Sequence, residues 1–309
     1  MIGNKMRTVL ITGATGFLGS NIARFLVEKG FKVYATHRNN SGFTRCTDFY
    51  DSIQWINTEN INWKESFSHF KVDLLIHAAW QGVSSNERDN WEIQLSNIAF
   101  SKEIYEFTRK SGIKKIITLG SQAEYGFYDE KVNEEVTPDP NDAYSQAKLL
   151  TLDFLQNFAL NNKIDWYWIR VFSVFGKNEN KNWLLPSVIV NLLKGKPIEL
   201  TEGYQKYDYM HSDDFVRNLY KVIDCSSNNS GIYNLCSGNA FEIKSLLTQL
   251  TKHIPHTDHL LKFGAIPYRK NQNMFMVGDN KKFESLFGPI SINDMDLNLR
   301  KTINLYKGK

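Results

Sequence analysis

The stretch RTVLITGATGFLGSNIARFLVEKG, residues 7–30, decides the fold. Its first six residues are rich in β-branched side chains and predict a buried strand, and apolar residues at helical spacing follow the glycines and predict a helix. Gly13, Gly16 and Gly19 lie between the two elements. In such a loop one glycine allows the tight turn, one lets the backbone approach a pyrophosphate, and one lets the helix pack on the strand. We therefore expect this loop to bind a dinucleotide through Gly13, Thr15, Gly16, Phe17, Leu18 and Gly19.

The alternation of strands and helices continues to about residue 175. Apolar runs predict strands and amphipathic runs predict helices, with Asp142 as the cap of the last helix; the strands are 31–38, 72–80, 114–121 and 165–176, and the helices are 91–112 and 142–163. Such an alternation predicts an α/β fold with a doubly wound parallel (Rossmann) sheet. After Gly176 the pattern weakens. We expect a nucleotide-binding domain over 1–175 and 208–235, and a smaller, interleaved substrate-binding lobe over 176–207 and 236–309.

Composition excludes several classes of protein. The 309 residues are 42% hydrophobic and 23% charged, and the net charge of +4 comes from scattered basic residues, so we expect no nucleic-acid partner. Cys46, Cys225 and Cys236 are odd in number and show no CxxC spacing, which argues against disulfides and against a metal site. No leader or stretch of membrane-spanning length is present, so a cytoplasmic protein without a membrane partner is expected.

The end of the second predicted strand indicates which dinucleotide binds. An acidic residue there would hold the ribose 2′-OH of NAD, but the sequence ATHRNNSG, residues 35–42, contains Arg38 and no acid. Because a guanidinium suits a 2′-phosphate, we expect NADP(H), with NAD(H) left open.

The segment YSQAK, residues 144–148, places Tyr144 and Lys148 four residues apart on one face of a helix. An ammonium near a phenol lowers the pKa of the phenol, which can then exchange a proton with a carbinol oxygen. Alone, this spacing is common by chance.

The motifs in combination resemble the extended short-chain dehydrogenase/reductase (NAD-dependent epimerase/dehydratase) family over nearly the whole chain. The glycine loop, HAA at 77–79, a serine at a strand end and YSQAK occur in the family's order and approximate spacing. The resemblance implies that Ser121 polarises the substrate oxygen, Tyr144 transfers the proton, and Lys148 lowers the pKa of Tyr144 and holds the nicotinamide ribose. It also implies a homodimer and cofactor-site roles for Ala78, Ala79 and Asn97, the last supporting the water network of the lysine.

The stretch GSQAEYG, residues 120–126, separates the branches of that family. In dehydratases the sequence at this place resembles TDEVYG, and its Asp–Glu pair removes water. This chain has Gln122 and Ala123 at the corresponding two positions. GDP-fucose synthases resemble SSCIYP, and their cysteine serves double epimerisation, whereas this chain again has Ala123. Both reactions are therefore not expected. Glu124 comes one place too late for the dehydratase role, and we expect it to make a structural contact.

The remaining motifs resemble reductases of CDP- or dTDP-linked 4-keto-6-deoxyhexoses. TEGYQKYDYMHSDD, residues 201–214, has Tyr207 where epimerases keep an arginine, and RVFSVFG has Ser173 where the family keeps an asparagine. We expect Ser121, Gln122, Ser173 and Arg269 to contact the nucleotide sugar, the last through its diphosphate. The implied reaction is NADPH-dependent reduction of a C4 ketone in deoxysugar biosynthesis for surface polysaccharide such as O-antigen. A 4-epimerase that retains NAD and a non-catalytic NADP-binding sensor stay open.

Overall fold

The computed structural model describes residues 7–65 and 71–307, so the first six residues, over which no leader was predicted, lie outside it. The described strands are β1 (Thr8–Thr12), β2 (Lys32–His37), β3 (Ile53–Asn57), β4 (Leu74–His77), β5 (Lys115–Ser121), β6 (Asp165–Val171), β7 (Ser173–Phe175), β8 (Ile198–Glu199), β9 (Lys206–Tyr207), β10 (Tyr209–His211), β11 (Gly231–Leu235), β12 (Phe241–Glu242), β13 (Leu261–Lys262) and β14 (Phe275–Met276). The α-helices are α1 (Phe17–Glu28), α2 (Trp91–Lys110), α3 (Ala143–Asn162), α4 (Leu184–Leu193), α5 (Ser212–Asp224), α6 (Ile243–Thr251), α7 (Lys281–Phe287) and α8 (Met295–Asn304).

Seven strands form one parallel sheet in the order β11-β6-β5-β4-β1-β2-β3. The central strand β1 pairs in parallel with β2, with Val9 opposite Val33, and with β4, with Val9 opposite Leu74. This order confirms the predicted doubly wound sheet. Because the order of the strands reverses between β1 and β4, the carboxyl ends of these strands open the crevice in which such folds bind ligands.

The main core lies between the sheet and the helices α2 and α3. Leu10, Leu75 and Ile116 come from three neighbouring strands and pack in one cluster with Ile104 of α2 and Leu155 of α3. All five side chains are almost completely shielded from solvent. Their burial supplies most of the driving force that holds the two helices on the sheet.

The chain divides into two compact units. The first contains the described residues up to Gly126, 137–170 and 222–233, and the second contains 127–136, 171–221 and the described residues from Asn234 onward. These bounds differ from the predicted ones. Part of the difference arises because the strand expected over 165–176 breaks at Phe172. The piece after the break, β7, pairs in parallel with β10 rather than with the large sheet. Which unit binds which ligand stays a prediction.

The second unit has its own apolar core. Leu185 and Val188 of α4, Leu247 of α6, and Leu299 and Ile303 of α8 belong to one buried cluster. The helices α6, α7 and α8 were not predicted from the sequence, in which the Asn- and Pro-marked loop around residues 264–275 dominates this part of the chain. Within the described part of the chain, none of the helices combines the length and the apolar character needed to cross a bilayer.

Candidate active site

The glycine loop is packed so closely that side chains are excluded from it. Gly13 has φ +74°, and a Cβ there would lie 2.6 Å from the backbone nitrogen of Ala79. At Gly19 a Cβ would lie 2.1 Å from the carbonyl oxygen of Gly13. Gly16 is the N-cap of α1, without a side-chain cap and without an acidic residue in the first turn. This open, positively polarised helix end fits a pyrophosphate.

Arg38 directly follows β2, at the predicted ribose end of the cofactor site. Its backbone N–H donates to Ser41 Oγ at 2.9 Å, and its exposed guanidinium makes no hydrogen bond or ion pair with any described residue. The nearby acid Glu59 accepts a hydrogen bond from the backbone N–H of Asn39 at 2.7 Å. The described residues at this strand end therefore leave one cation available to a phosphate and hold the neighbouring carboxylate on the backbone.

Ser121 ends β5 and caps the 3₁₀ turn Gln122–Tyr125. Its Oγ accepts a hydrogen bond from the N–H of Ala123 at 3.1 Å. Ser121 also lies close enough to Tyr144 to lower the pKa of that phenol, so the serine and tyrosine that the sequence singled out are brought together. Because one lone pair of Oγ is occupied by Ala123, the geometry favours Ser121 as a donor to a third oxygen.

Glu124 lies in the same turn but faces the interior. It is fully buried, and its carboxylate accepts hydrogen bonds from the Ser121 N–H at 2.7 Å, from Trp168 Nε1 at 3.0 Å and from Arg170 Nε at 2.8 Å. Gly120 makes room for this arrangement, since a Cβ there would lie 2.1 Å from Trp168 Nε1. The prediction that Glu124 makes a structural contact is confirmed.

Tyr144 lies in the first turn of α3, for which Asp142 is the predicted and observed N-cap. Burial raises the pKa of Tyr144, and the neighbouring Ser121 and the charge of Arg88 lower it by less. The predicted lowering of this pKa is therefore wrong in direction. The prediction weighed only the charge of Lys148, whereas loss of hydration penalises the phenolate most in this buried position.

Lys148 is buried one turn further along α3. Its ammonium donates to the carbonyl oxygen of Leu119 at 2.8 Å and lies 5.8 Å from the centre of the Tyr144 ring. Burial lowers the pKa of Lys148 to about 7, while the charge of Glu124 raises it. The lysine therefore changes its charge near neutral pH, next to the tyrosine.

A half-buried indole that the sequence analysis did not single out covers Lys148. The ammonium lies 3.6 Å from the centre of the Trp80 ring, and Trp80 Nε1 donates to Gln94 Oε1 at 2.9 Å. Asn97 was expected to support the lysine, but it binds the backbone of Gln81 in both directions at 2.9 Å and donates to Gln94 at 3.2 Å. The only hint in the sequence was an aromatic residue directly after HAA.

Arg88 is a second residue that sequence reasoning missed. Its Nε donates to Asp142 at 2.7 Å, and its guanidinium lies 4.5 Å from the centre of the Tyr144 ring. The next residue, Asp89, accepts from the N–H of Ala143 at 3.2 Å. The loop after β4 therefore fixes the start of the helix that carries Tyr144. Nothing in its polar sequence marks this role.

The other predicted substrate contacts are more exposed. Gln122 is partly exposed in its turn, and among the described residues its side chain has no hydrogen-bond partner, which leaves its predicted role open. In the second unit, Ser173 begins β7, and the exposed Arg269 lies close enough to Tyr207 to lower the pKa of that phenol, against a larger increase from burial. Tyr207 and Arg269 are thus neighbours. Roles for Gln122, Ser173 and Arg269 in binding stay predictions.

Comparison with known proteins places these residues in context. A model of the NAD dependent epimerase/dehydratase family matches residues 9–236. The dTDP-6-deoxy-L-talose 4-dehydrogenase (NAD(+)) of Aggregatibacter actinomycetemcomitans is 27% identical over 87% of this chain and 98% of its own length. The CDP-abequose synthase of Salmonella muenchen is 21% identical over 87% of each chain. The UDP-glucose 4-epimerase of Thermotoga maritima superposes with a TM-score of 0.88 over 97% of this chain and 98% of its own, at 21% identity.

Proposed function

The chain belongs to the NAD-dependent epimerase/dehydratase family, whose members modify nucleotide sugars with a nicotinamide cofactor, and we propose that it reduces the C4 ketone of a CDP- or dTDP-linked 4-keto-6-deoxy sugar with NADPH. The observation that carries the proposal is the state of the carboxylate in GSQAEYG. Glu124 is engaged by Trp168 and Arg170, so Ser121, Tyr144 and Lys148 are left without an acid–base pair beside them. That set suffices for redox chemistry at one carbon.

The triad residues would divide the work as follows. Ser121 donates a hydrogen bond to the C4 carbonyl oxygen, as an oxyanion donor does. Tyr144 gives its phenolic proton to the same oxygen, and its raised pKa keeps that proton on the tyrosine until the reaction. Lys148 offsets the charge that then develops on the phenolate.

The chain's own residues fit a nicotinamide dinucleotide. The cradle of Gly13, Gly16 and Gly19, which a Cβ would fill, would hold its pyrophosphate, and the unpaired guanidinium of Arg38 would hold a 2′-phosphate. Ala78, Ala79, Asn97 and Lys148 would line the rest of the site. When bound, the cofactor supplies the hydride. The name of one relative specifies NAD(+), so the preference for NADPH rests on Arg38 alone.

The nature of the substrate is supported by the relatives' names. The first relative is named a 4-dehydrogenase of dTDP-6-deoxy-L-talose and the second a CDP-abequose synthase. Both match most of this chain. Tyr207 and Arg269 would then form part of the site for the nucleotide diphosphate, together with Ser173. In this proposal the enzyme works in the cytoplasm as a homodimer, in deoxysugar biosynthesis for surface polysaccharide.

The test is a panel of CDP-, dTDP-, UDP- and GDP-linked 4-keto-6-deoxy sugars with NADPH and with NADH, followed by the loss of absorbance of the reduced cofactor. We expect turnover with the CDP or dTDP sugar and NADPH. Tyr144→Phe should abolish turnover while cofactor binding, measured by calorimetry, stays nearly unchanged. Turnover that survives in Tyr144→Phe would contradict the mechanism, and absence of turnover with the whole panel would contradict the substrate class.

The second candidate is a sugar-nucleotide 4-epimerase. It is supported by the structural similarity to the UDP-glucose 4-epimerase and needs the same triad. An epimerase reoxidises what it reduces and so consumes no cofactor. Stoichiometric NAD released on denaturing the purified protein, with epimerisation and no net consumption of NADPH, would favour this candidate.

A further inference from the structure

The ammonium of Lys148 lacks the partner that a buried cation usually has. Its side chain is 4% exposed, and within the described chain its contacts are the carbonyl oxygen of Leu119 at 2.8 Å and the face of Trp80 at 3.6 Å. A second indole, Trp168, lies further away at 6.0 Å. A fully desolvated ammonium needs electrostatic compensation, and the negative face of an indole supplies it.

The indole of Trp80 is held in place by a chain of side-chain amides on α2. Its Nε1 donates to Gln94 Oε1, and Gln94 in turn donates to the carbonyl oxygen of Gly82 at 3.0 Å. Gln94 is completely buried, so its amide cannot exchange these partners for water. The edge of Tyr144 meets the Trp80 ring at 89° with 6.1 Å between the ring centres. One ring therefore touches both titratable members of the triad.

The other titratable groups around Lys148 do not replace this contact. Glu124 raises the pKa of the lysine by its charge, but it is engaged by Arg170. His77 on β4 is neutral, because burial and the charge of Lys148 lower its pKa to about 3. The phenol of Tyr144 is neutral as well, because burial raises its pKa. Besides the carbonyl oxygen of Leu119, Trp80 is the described group in direct contact that favours the charged form of the lysine.

We propose that Trp80 is a positioning residue of this active site, whose indole face seats the Lys148 ammonium and keeps it protonated beside Tyr144. The inference rests on the proposed function in one respect only, the role given to protonated Lys148 in offsetting the phenolate. An aliphatic side chain at position 80 keeps an apolar contact but offers no negative face, whereas phenylalanine retains one.

The test follows the titration of Lys148 itself, in the protein without substrate. The ¹³Cε resonance of Lys148, assigned by its loss in Lys148→Met, is recorded against pH in the unaltered protein, in Trp80→Leu and in Trp80→Phe. We expect the midpoint in Trp80→Leu to fall by about one pH unit, a tenfold change in the ratio of charged to neutral lysine, and the midpoint in Trp80→Phe to stay near the original value. An unchanged midpoint in Trp80→Leu overturns the proposal.

A second measurement covers the case in which the leucine variant does not fold. Fluorinated tryptophans introduced at position 80 alone keep the shape of the ring and weaken its negative face in proportion to the number of fluorines. We expect the midpoint of Lys148 to fall stepwise along this series, and a midpoint that ignores fluorination overturns the proposal.

A kinetic measurement relates the contact between Trp80 and Lys148 to turnover. In the reductase assay, the basic limb of the kcat profile should move to lower pH in Trp80→Leu and return in Trp80→Phe. Failure of the proposed function is separate, since it appears as turnover in Tyr144→Phe or as no turnover with any sugar, and neither result affects the ¹³Cε titration.

Discussion

Lys148 and Arg170 are both cations buried in the first unit, yet their surroundings differ. Arg170 is paired with the buried carboxylate of Glu124 and lies over the ring of Tyr125 at 4.2 Å, and these contacts raise its pKa despite burial. Among the described residues, Lys148 contacts a carbonyl oxygen and an indole face, and burial lowers its pKa to about 7. A paired buried charge is fixed and serves the structure, whereas an unpaired one is titratable and available for chemistry.

The contrast between the two buried cations is tested most directly by a substitution at Lys148. Lys148→Met should lower kcat by about a thousandfold, because the charge on the tyrosine is no longer offset. The free energy of unfolding should stay unchanged or rise by about 1 kcal/mol, because a desolvated charge is removed. Steady-state kinetics and urea unfolding at pH 6 measure the two effects. A large loss of stability would mean that this lysine is as structural as Arg170.

Removing the partner of the paired cation, Arg170, should lower the stability of the protein, the opposite of the effect expected at Lys148. Glu124→Gln leaves Arg170 buried without its counter-charge, and we expect the free energy of unfolding to fall by about 3 kcal/mol. The double variant Glu124→Gln with Arg170→Met is the control, because it removes both charges. If the double variant is no more stable than Glu124→Gln alone, the pair does not hold the turn in the way described.

The space that Gly120 leaves for Trp168, which donates to Glu124, can be tested separately. Gly120→Ala places a Cβ against the indole nitrogen that donates to Glu124, and we expect a loss of about 2 kcal/mol in urea unfolding. Gly42→Ala is the matched control, since a Cβ at Gly42 meets nothing within 4 Å. Equal effects of the two substitutions would contradict the packing argument.

The smallest expected effect concerns a half-buried acid in the second unit, Glu179. Burial raises the pKa of Glu179 to about 8, against a hydrogen bond from the N–H of Gly176 that lowers it. A carboxyl with a raised folded pKa contributes stability below its unfolded pKa, and this contribution is lost as the pH rises through about 8. Glu179→Gln should match the unaltered protein in urea unfolding at pH 4 and exceed it at pH 8.5 by about 1 kcal/mol. If the two proteins differed by the same free energy of unfolding at both pH values, the raised pKa of Glu179 would be contradicted.

The sequence predicted the doubly wound sheet because its signals are local. The spacing of Gly13, Gly16 and Gly19 and the period of the flanking apolar residues are properties of one short segment, and the structure follows them. The break at Phe172 was missed because aromatic and β-branched residues that favour a strand lie on both sides of it. What ends β6 and begins β7 is pairing with β10, more than thirty residues later, which no local pattern reports.

In the candidate site too, local features could be predicted from the sequence and features that depend on the whole fold could not. Ser121 and Tyr144 were singled out because their side chains have known catalytic chemistry, and the structure places them near each other. The pKa of Tyr144 was predicted in the wrong direction because burial depends on the whole fold and not on the spacing of Tyr144 and Lys148. Trp80 meets Lys148 across two different elements, so its contact was equally invisible in the sequence.

The position of β11 at the edge of the large sheet has a consequence for how the chain is made. Its neighbour β6 ends at Val171, and β11 begins at Gly231, so the 59 residues 172–230 must be synthesised before that edge is covered. Until then β6 offers a row of unpaired backbone groups, the kind of edge on which chains aggregate. An amino-terminal fragment that stops near residue 170 would keep that edge permanently, and so the first unit should accumulate as a stable protein only when the chain extends past β11.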